Sequence, residues 1–165
     1  FKLFKRNTYN FKINNNFKNV ISKCQLANRK DNGTWINSII LDSYLNLHYE
    51  KMAHSVECYD QNQLVGGLYG VHIGGCFFGE SMFSELSNTS KFCLLYLIAI
   101  LKKNLFSILD SQFYNEHLIQ FGAFEIKNKI YLEKLTASIN DNRVFTSIKN
   151  FQEVLSLLQP NNHKS

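Results

Sequence analysis

Between residues 53 and 84 three short apolar runs are separated by turn residues, first Asp60-Gln61-Asn62 and then Gly74-Gly75. Val56, Leu64, Val65, Leu68, Tyr69 and Val71 give these runs the β-branched and aromatic bias of strands, and the pattern predicts an antiparallel meander. Six of the eight glycines fall here: Gly66, Gly67, Gly70, Gly74, Gly75 and Gly79. Glycine inside a strand marks a bulge, or a close approach of a ligand or another backbone. Before the meander, Ile36, Ile39, Ile40, Tyr44 and Leu47 recur at helical spacing, which predicts a helix from Trp35 to about residues 48–51 with Thr34 as its N-cap. After it, Ser87-Asn88-Thr89-Ser90 offers a second N-cap. Residues 91–103 are apolar around most of the circumference, as in a helix packed on both sides, and Lys102 and Lys103 suit its C-terminal end.

A short strand at 105–109 and a short helix at 115–121, stopped by Gly122, follow. A helix over 128–139 has Ile130, Tyr131, Leu135 and Ile139 as its stripe, and a last helix lies within 147–158, before Pro160. The order predicts an α+β fold, with helices against a mixed, mostly antiparallel sheet and one helical crossover, at 91–103.

The 165 residues are 45% hydrophobic and 14% aromatic, which fits one domain with a real core. No run approaches the ~18 apolar residues of a membrane span, so no membrane partner is expected, and no signal-peptide pattern is present. The first residue is Phe1, not Met, which predicts a fragment or a processed chain. Cys24, Cys58, Cys76 and Cys93 are far apart and form no CxxC pair, so free, mostly buried thiols are expected rather than zinc. The net charge of +5 suits a polyanionic partner but identifies none. At the start, Lys2, Lys5, Arg6, Lys12 and Lys18 interleave with Phe1, Phe4, Tyr9, Phe11 and Phe17. That pattern has two readings of equal weight: a nucleic-acid track with base-stacking rings, or an amphipathic strand with a solvated basic face.

Glu80 sits in the apolar context Phe77-Phe78-Gly79-Glu80-Ser81-Met82-Phe83, where a carboxylate is paired, lines a cleft or has a shifted pKa. If the third strand and the strand before Asp110 are neighbours, Glu80 and Asp110 reach one cleft, with Gln112, Asn115, His54 and Glu57 nearby in the pattern. Such a pair can serve as acid, base or cation site, though an Asp before Ser is more often an ordinary turn. His48, His72 and His117 lack ligand spacing and read as structural, and no metal site is expected.

The blocks AHSVE (53–57), LVGGLYGV (64–71) and FFGESMFS (77–84), Ser90-Lys91 and LDSQ…NEHL…FGA (109–123) occur in order, together with GTWI (33–36) and Tyr44…Leu47-His48. Over residues 4–135 the chain thereby resembles the leucyl/phenylalanyl-tRNA–protein transferases. The resemblance implies an acetyltransferase-like (GNAT-like) catalytic domain. It also implies transfer of Leu or Phe, with Met a further candidate, from aminoacyl-tRNA to the α-amino group of proteins beginning with Arg or Lys. The added residue would mark those proteins for degradation in the bacterial cytoplasm. No cofactor and a monomer are expected.

Asp110 and Gln112 match the family's reaction-centre pair. Glu80 and Asn115 match cleft residues, and Trp35 a tryptophan beside the tRNA end. Leu68, Phe77, Gly79, Met82, Leu97, Leu101 and Leu109 match the lining of the side-chain pocket, with Leu97 and Leu101 where aromatics are familiar. Lys2, Lys5, Arg6 and Lys12 are the expected tRNA contacts. The expected division is a basic, aromatic N-terminal segment (1–30), the aminoacyltransferase domain (31–139) and a C-terminal helix and tail (140–165) that carries no resemblance. The family's small upstream domain is expected to lie outside this chain. The competing readings are an acyl-CoA-dependent N-acetyltransferase, disfavoured by the glycine-free turn before Lys91, a peptidoglycan-building aminoacyl-tRNA transferase, disfavoured by Gly79-Glu80-Ser81-Met82, and a non-catalytic tRNA- or RNA-binding remnant.

Overall fold

The computed structural model describes residues 1–27, 36–112 and 116–159, with the backbone alone at residues 116 and 117. The expected turn at residues 31–34 lies outside them, as do Trp35, Asn115 and Pro160. The meander forms as predicted: β2 (Ala53–Asp60), β3 (Gln63–Ile73) and β4 (Cys76–Ser84) pair antiparallel in sequence order. An edge strand β1 (Asn10–Ile13) joins β2, and β5 (Ile108–Asp110) joins β4 in parallel, which gives the order β1-β2-β3-β4-β5. The parallel pair needs a crossover, and α4 (Thr89–Lys103) supplies it. It buries ten residues, between the sheet and α7 (Phe151–Leu158).

Each sheet face carries its own core. On one, Val56, Cys58, Val65, Leu68 and Phe77 meet α4. On the other, Leu64, Tyr69 and Phe83 meet Phe17, Val20, Ile21 and Cys24 of α2 (Phe17–Ala27), together with Ile40, Tyr44 and Leu47 of α3 (Ser38–Tyr49). Close approach explains Gly66, Gly67, Gly70 and Gly74 of the meander. A Cβ on Gly66 would stand 2.4 Å from the Thr89 hydroxyl, and one on Gly70 2.3 Å from the Phe78 carbonyl.

Several expectations are corrected. The helix predicted from Trp35 begins at Ser38, because Asn37 rather than Thr34 caps it, accepting the Ile40 N–H at 2.9 Å. Ile39 faces solvent, 74% exposed, because the packed face is made by Ile40, Leu41, Tyr44, Leu45 and Leu47. The helix predicted from Lys91 begins at Thr89. Its cap residue Asn88 is left-handed (φ 67°) and caps nothing with its side chain, while Ser84 Oγ accepts the Ser90 N–H at 2.9 Å. The strand expected at 105–109 is shorter, since Leu105 turns at φ 59° and pairing starts at Ile108. In α6 (Asn128–Ser138), Ile130 faces solvent rather than a core.

The N-terminal segment contains the short α1 (Lys2–Lys5) and the unforeseen α2, and the short helix after β5 is α5 (Glu116–Ile119). The N-terminal segment also decides between the two readings of its rings. Phe4 is fully buried against Phe92 and Phe151, Phe11 stacks on Tyr96, and Phe17 stacks on His48. These rings belong to the core, whereas Lys2, Lys5, Arg6 and Lys12 are exposed. The C-terminal segment also joins the core. Phe145, Ile148 and Val154 are buried, and Asn104 and Lys103 donate to the Thr146 and Ser147 carbonyls.

Candidate active site

The site arises where the parallel pair stops. β5 matches β4 at three positions, Cys76↔Ile108, Phe77↔Leu109 and Phe78↔Asp110, and the edge of β4 beyond has no strand partner among the described residues. Just there β4 bulges. Tyr69 faces Ser81 and Gly70 faces Gly79, so Glu80 is the extra residue. A bulge re-aims side chains and is a usual companion of functional sites. Gly79 differs from the other meander glycines, because a Cβ there would meet only the Asp110 carbonyl, at an ordinary 3.5 Å. Among the described residues nothing needs that glycine for packing. It keeps the notch between the strands open.

Asp110 ends β5 at the notch and is half-buried. Its Oδ1 accepts the Gln112 N–H at 2.7 Å, in a turn that holds Gln112 at φ 65°, and its Oδ2 accepts the Tyr131 hydroxyl at 2.6 Å. Gln112 Nε2 reaches back to the Gly79 carbonyl at 3.4 Å. Asp110, Gln112 and Gly79 therefore form one cluster. Tyr131, on α6, was foreseen only as part of an apolar stripe. Its bond to Asp110 pushes the phenol up to about 12. Glu80 is drawn to α3 instead, where it accepts a hydrogen bond from Tyr44. Burial first, and then this carboxylate, push the Tyr44 phenol up. The buried Tyr69 hydroxyl beside them has no hydrogen-bond partner among the described residues.

Side chains alternate across a strand, so Leu109 shares the α4 face with Phe77 while Asp110 lies on the other. On the α4 face Leu68, Phe77, Leu97 and Leu101 belong to one buried cluster, with Met82 and Leu109 38% and 37% exposed. An apolar surface thus borders the notch on one side and a fixed carboxylate on the other.

His54 and Glu57 do not join the site. His54 is buried against Phe145, bonded through Nδ1 to Asn14 at 2.9 Å and through Nε2 to His72 at 2.8 Å. Glu57 is buried among Asn15, Asn16, Ser55 and Tyr59. A hollow of about 570 Å³ lies near His48, His54, His72 and Arg143, and none of the cleft residues lines it. All four cysteines are free and buried. Lys12, on the edge strand β1, is three strand spacings from β4, about 14 Å. No helix among the described residues is long and apolar enough to cross a membrane.

Similarity searches place this geometry in context. The profile of the leucyl/phenylalanyl-tRNA protein transferase family matches residues 1–136. Proteins named leucyl/phenylalanyl-tRNA–protein transferase from Desulfotalea psychrophila and Hyphomonas neptunium are each 45% identical, over 142 and 131 residues. These matches take in 85% and 79% of this chain but 62% and 51% of the relatives, so the chain spans between half and two thirds of their length. Among solved structures, a predicted acetyltransferase with acetyl-CoA from Clostridium acetobutylicum superimposes with a TM-score of 0.55 at 11% identity. It covers 74% of this chain and 93% of that one, a likeness of fold.

Proposed function

The chain belongs to the leucyl/phenylalanyl-tRNA–protein transferase family, and from that premise we propose that it carries the site for transfer of Leu or Phe from aminoacyl-tRNA to the N-terminal amine of a protein. The observation that supports this most directly is the clamped Asp110–Gln112 pair, set against Gly79 in a notch beside an apolar surface.

The reaction is aminolysis of an activated ester. The amine nitrogen forms a bond to the ester carbonyl carbon, the bond from that carbon to the tRNA ribose oxygen breaks, and the amine's proton must leave. An α-amine with a pKa near ~8 is about one-tenth neutral at pH 7, so the protein needs to orient it and accept one proton. Asp110, with Gln112 beside it, orients the amine and takes the proton, and orientation supplies much of the rate. The leaving ribose oxygen takes up that same proton, passed on from Asp110, and ends as a hydroxyl, which returns Asp110 to its carboxylate. Leu68, Phe77, Leu97, Leu101, Met82 and Leu109 form the apolar side that receives the side chain of Leu, Phe or Met. Glu80 attracts the cationic side chain of an acceptor that begins with Arg or Lys. Family membership gives Trp35 a role at the tRNA end and Asn115 one toward the substrates, and Lys2, Lys5, Arg6 and Lys12 hold tRNA phosphates. The working form is a cytoplasmic monomer.

The test is transfer of labelled Phe and Leu from charged tRNA to a peptide beginning with Arg, by the full chain and by Asp110→Ala. Transfer that falls at least about a hundredfold in the variant is expected. A folded wild-type chain that transfers nothing overturns the reading.

A further inference from the structure

We propose that Tyr131 is a positioning residue for the transfer, holding the Asp110 carboxylate in the orientation from which it serves the attacking amine. The inference rests on the transferase reading above and adds to it a residue on a different element.

A carboxylate held at one oxygen can still turn about its Cβ–Cγ bond; held at both, it keeps one plane. Asp110 is held at both, by the Gln112 N–H at Oδ1 and by the Tyr131 hydroxyl at Oδ2. The two restraints differ in kind. The first comes from the same turn and moves with Asp110. The second comes from α6, 21 residues on, and ties Asp110 to an outside reference. That reference is fixed to the sheet, because the Gly75 N–H donates to the Ser138 carbonyl at 2.7 Å at the far end of α6. One end of the helix is anchored at the β3–β4 hairpin and the other closes on the site.

α6 has little other work. Ser138 is its only buried residue, and Ile130 and Leu132 are 44% and 49% exposed, so the helix seals no apolar core. Its contact with the site is polar and runs through Tyr131. The phenol, pushed up to about 12, remains a donor throughout the neutral range.

Tyr131→Phe in the full chain keeps the ring and removes the hydroxyl. Its kcat for transfer should fall about 10- to 100-fold, the cost of a poorly oriented group. KM for charged tRNA and for the acceptor peptide should stay within about twofold, since the hydroxyl touches neither substrate. Chains carrying ¹³C-labelled tyrosine add a signature that a merely structural role would not produce. The Tyr131 resonance, assigned by its loss in Tyr131→Phe, should titrate near 12 in the wild type. In Asp110→Asn it should return towards the ordinary ~10. Equal kcat in the wild type and Tyr131→Phe, or an effect confined to KM, overturns the role. So does a wild-type Tyr131 that titrates like a free tyrosine. Absence of transfer from the wild-type chain overturns the transferase reading and the role with it, and is read in a different arm.

Discussion

Glu57 and Asp110 are both carboxylates on strands of one sheet, and the protein treats them in opposite ways. Glu57 is fully buried and accepts four hydrogen bonds. The Asn15 and Asn16 N–H groups and the Ser55 hydroxyl reach Oε1, and the Tyr59 hydroxyl reaches Oε2, all at 2.8–2.9 Å. Asn15 and Asn16 immediately precede α2, so the negative charge also meets that helix's positive end. Every donor is the protein's own, and the group is saturated. Asp110 accepts two hydrogen bonds from the described residues and stands half-buried at the notch. A carboxylate has about four lone-pair sites, so Asp110 keeps capacity that Glu57 has spent. Saturation inside the fold identifies a structural acid. Restraint with spare capacity, where the neighbouring strand ends, identifies a working one.

The largest expected effect tests that contrast on stability. Glu57→Ala strands two backbone N–H groups and the Ser55 hydroxyl without a partner and takes the acceptor from the Tyr59 hydroxyl, which keeps only the Asn15 amide, and should lower the unfolding free energy by about 3–5 kcal/mol. Asp110→Ala, at the surface of the notch, should cost no more than about 1 kcal/mol while removing transfer. Urea unfolding of the two variants measures both. Similar losses would break the contrast, because Asp110 would then be as structural as Glu57.

The next effect sharpens the buried side through pH. Burial first, and then His72 and His48, push His54 down to about 3, so the folded protein holds it neutral. His72 is also lowered, mainly by burial. The unfolded chain takes up these protons near pH ~6.5. The stabilisation is therefore fully present above that value and is lost as pH falls from there towards 3. For His54 alone the loss should approach about 1.4 kcal/mol per pH unit, so about 2 kcal/mol at pH 5. His54→Gln should flatten this slope in denaturant titrations between pH 7 and 5. A wild-type stability that is flat across that range would mean the imidazole pair can be protonated in place.

What was legible in the sequence divides along the same line. Strand periodicity and the turns at Asp60-Gln61-Asn62 and Gly74-Gly75 are local signals, and the meander followed from them. The uniformly apolar stretch from Phe92 to Leu101 likewise announced a helix buried on both sides. Partly legible was the neighbourhood of Asp110: the strand before it does lie beside the third meander strand, but the carboxylate expected to share its cleft, Glu80, is the bulged residue and turns to Tyr44 of α3, so that Gly79 meets Asp110 and Gln112 instead. The roles of His54 and Glu57 were not legible. Their partners, Asn14, Asn15 and Asn16, lie about forty residues away, and asparagines in a turn do not advertise which side chain they will meet. Tyr131 was hidden for a related reason. At helical spacing with Ile130 and Leu135 it reads as part of an apolar face, and only the placement of α6 beside β5 shows that its hydroxyl is what matters. The N-terminal rings read equally well as a stacking platform or a core, and burial of Phe4 resolved that in favour of the core.

That burial also sets the smallest prediction, on polar groups the protein leaves unsaturated far from the notch. Lys2, Lys5, Arg6 and Lys12 face solvent, and the closest company of Lys5 and Lys12 is a ring, Phe1 at 4.7 Å and Tyr59 at 5.0 Å. If they hold tRNA they do so chiefly through phosphate charge, because Phe4, Phe11 and Phe17 are turned into the core and Phe1 is the exposed phenylalanine of the segment. Each change to Ala should then weaken tRNA binding by a few-fold, about 1 kcal/mol or less, and reduce the slope of log K against log salt by about one. Turnover at saturating tRNA should not change, since Lys12 stands about 14 Å from β4. Phe4→Leu should do the reverse, lowering stability and leaving the salt slope as it was. A charge variant that leaves the slope untouched would make that lysine or arginine an ordinary solvated group. A Phe4 variant that changes the slope would restore the ring to the binding surface, against its burial in the fold.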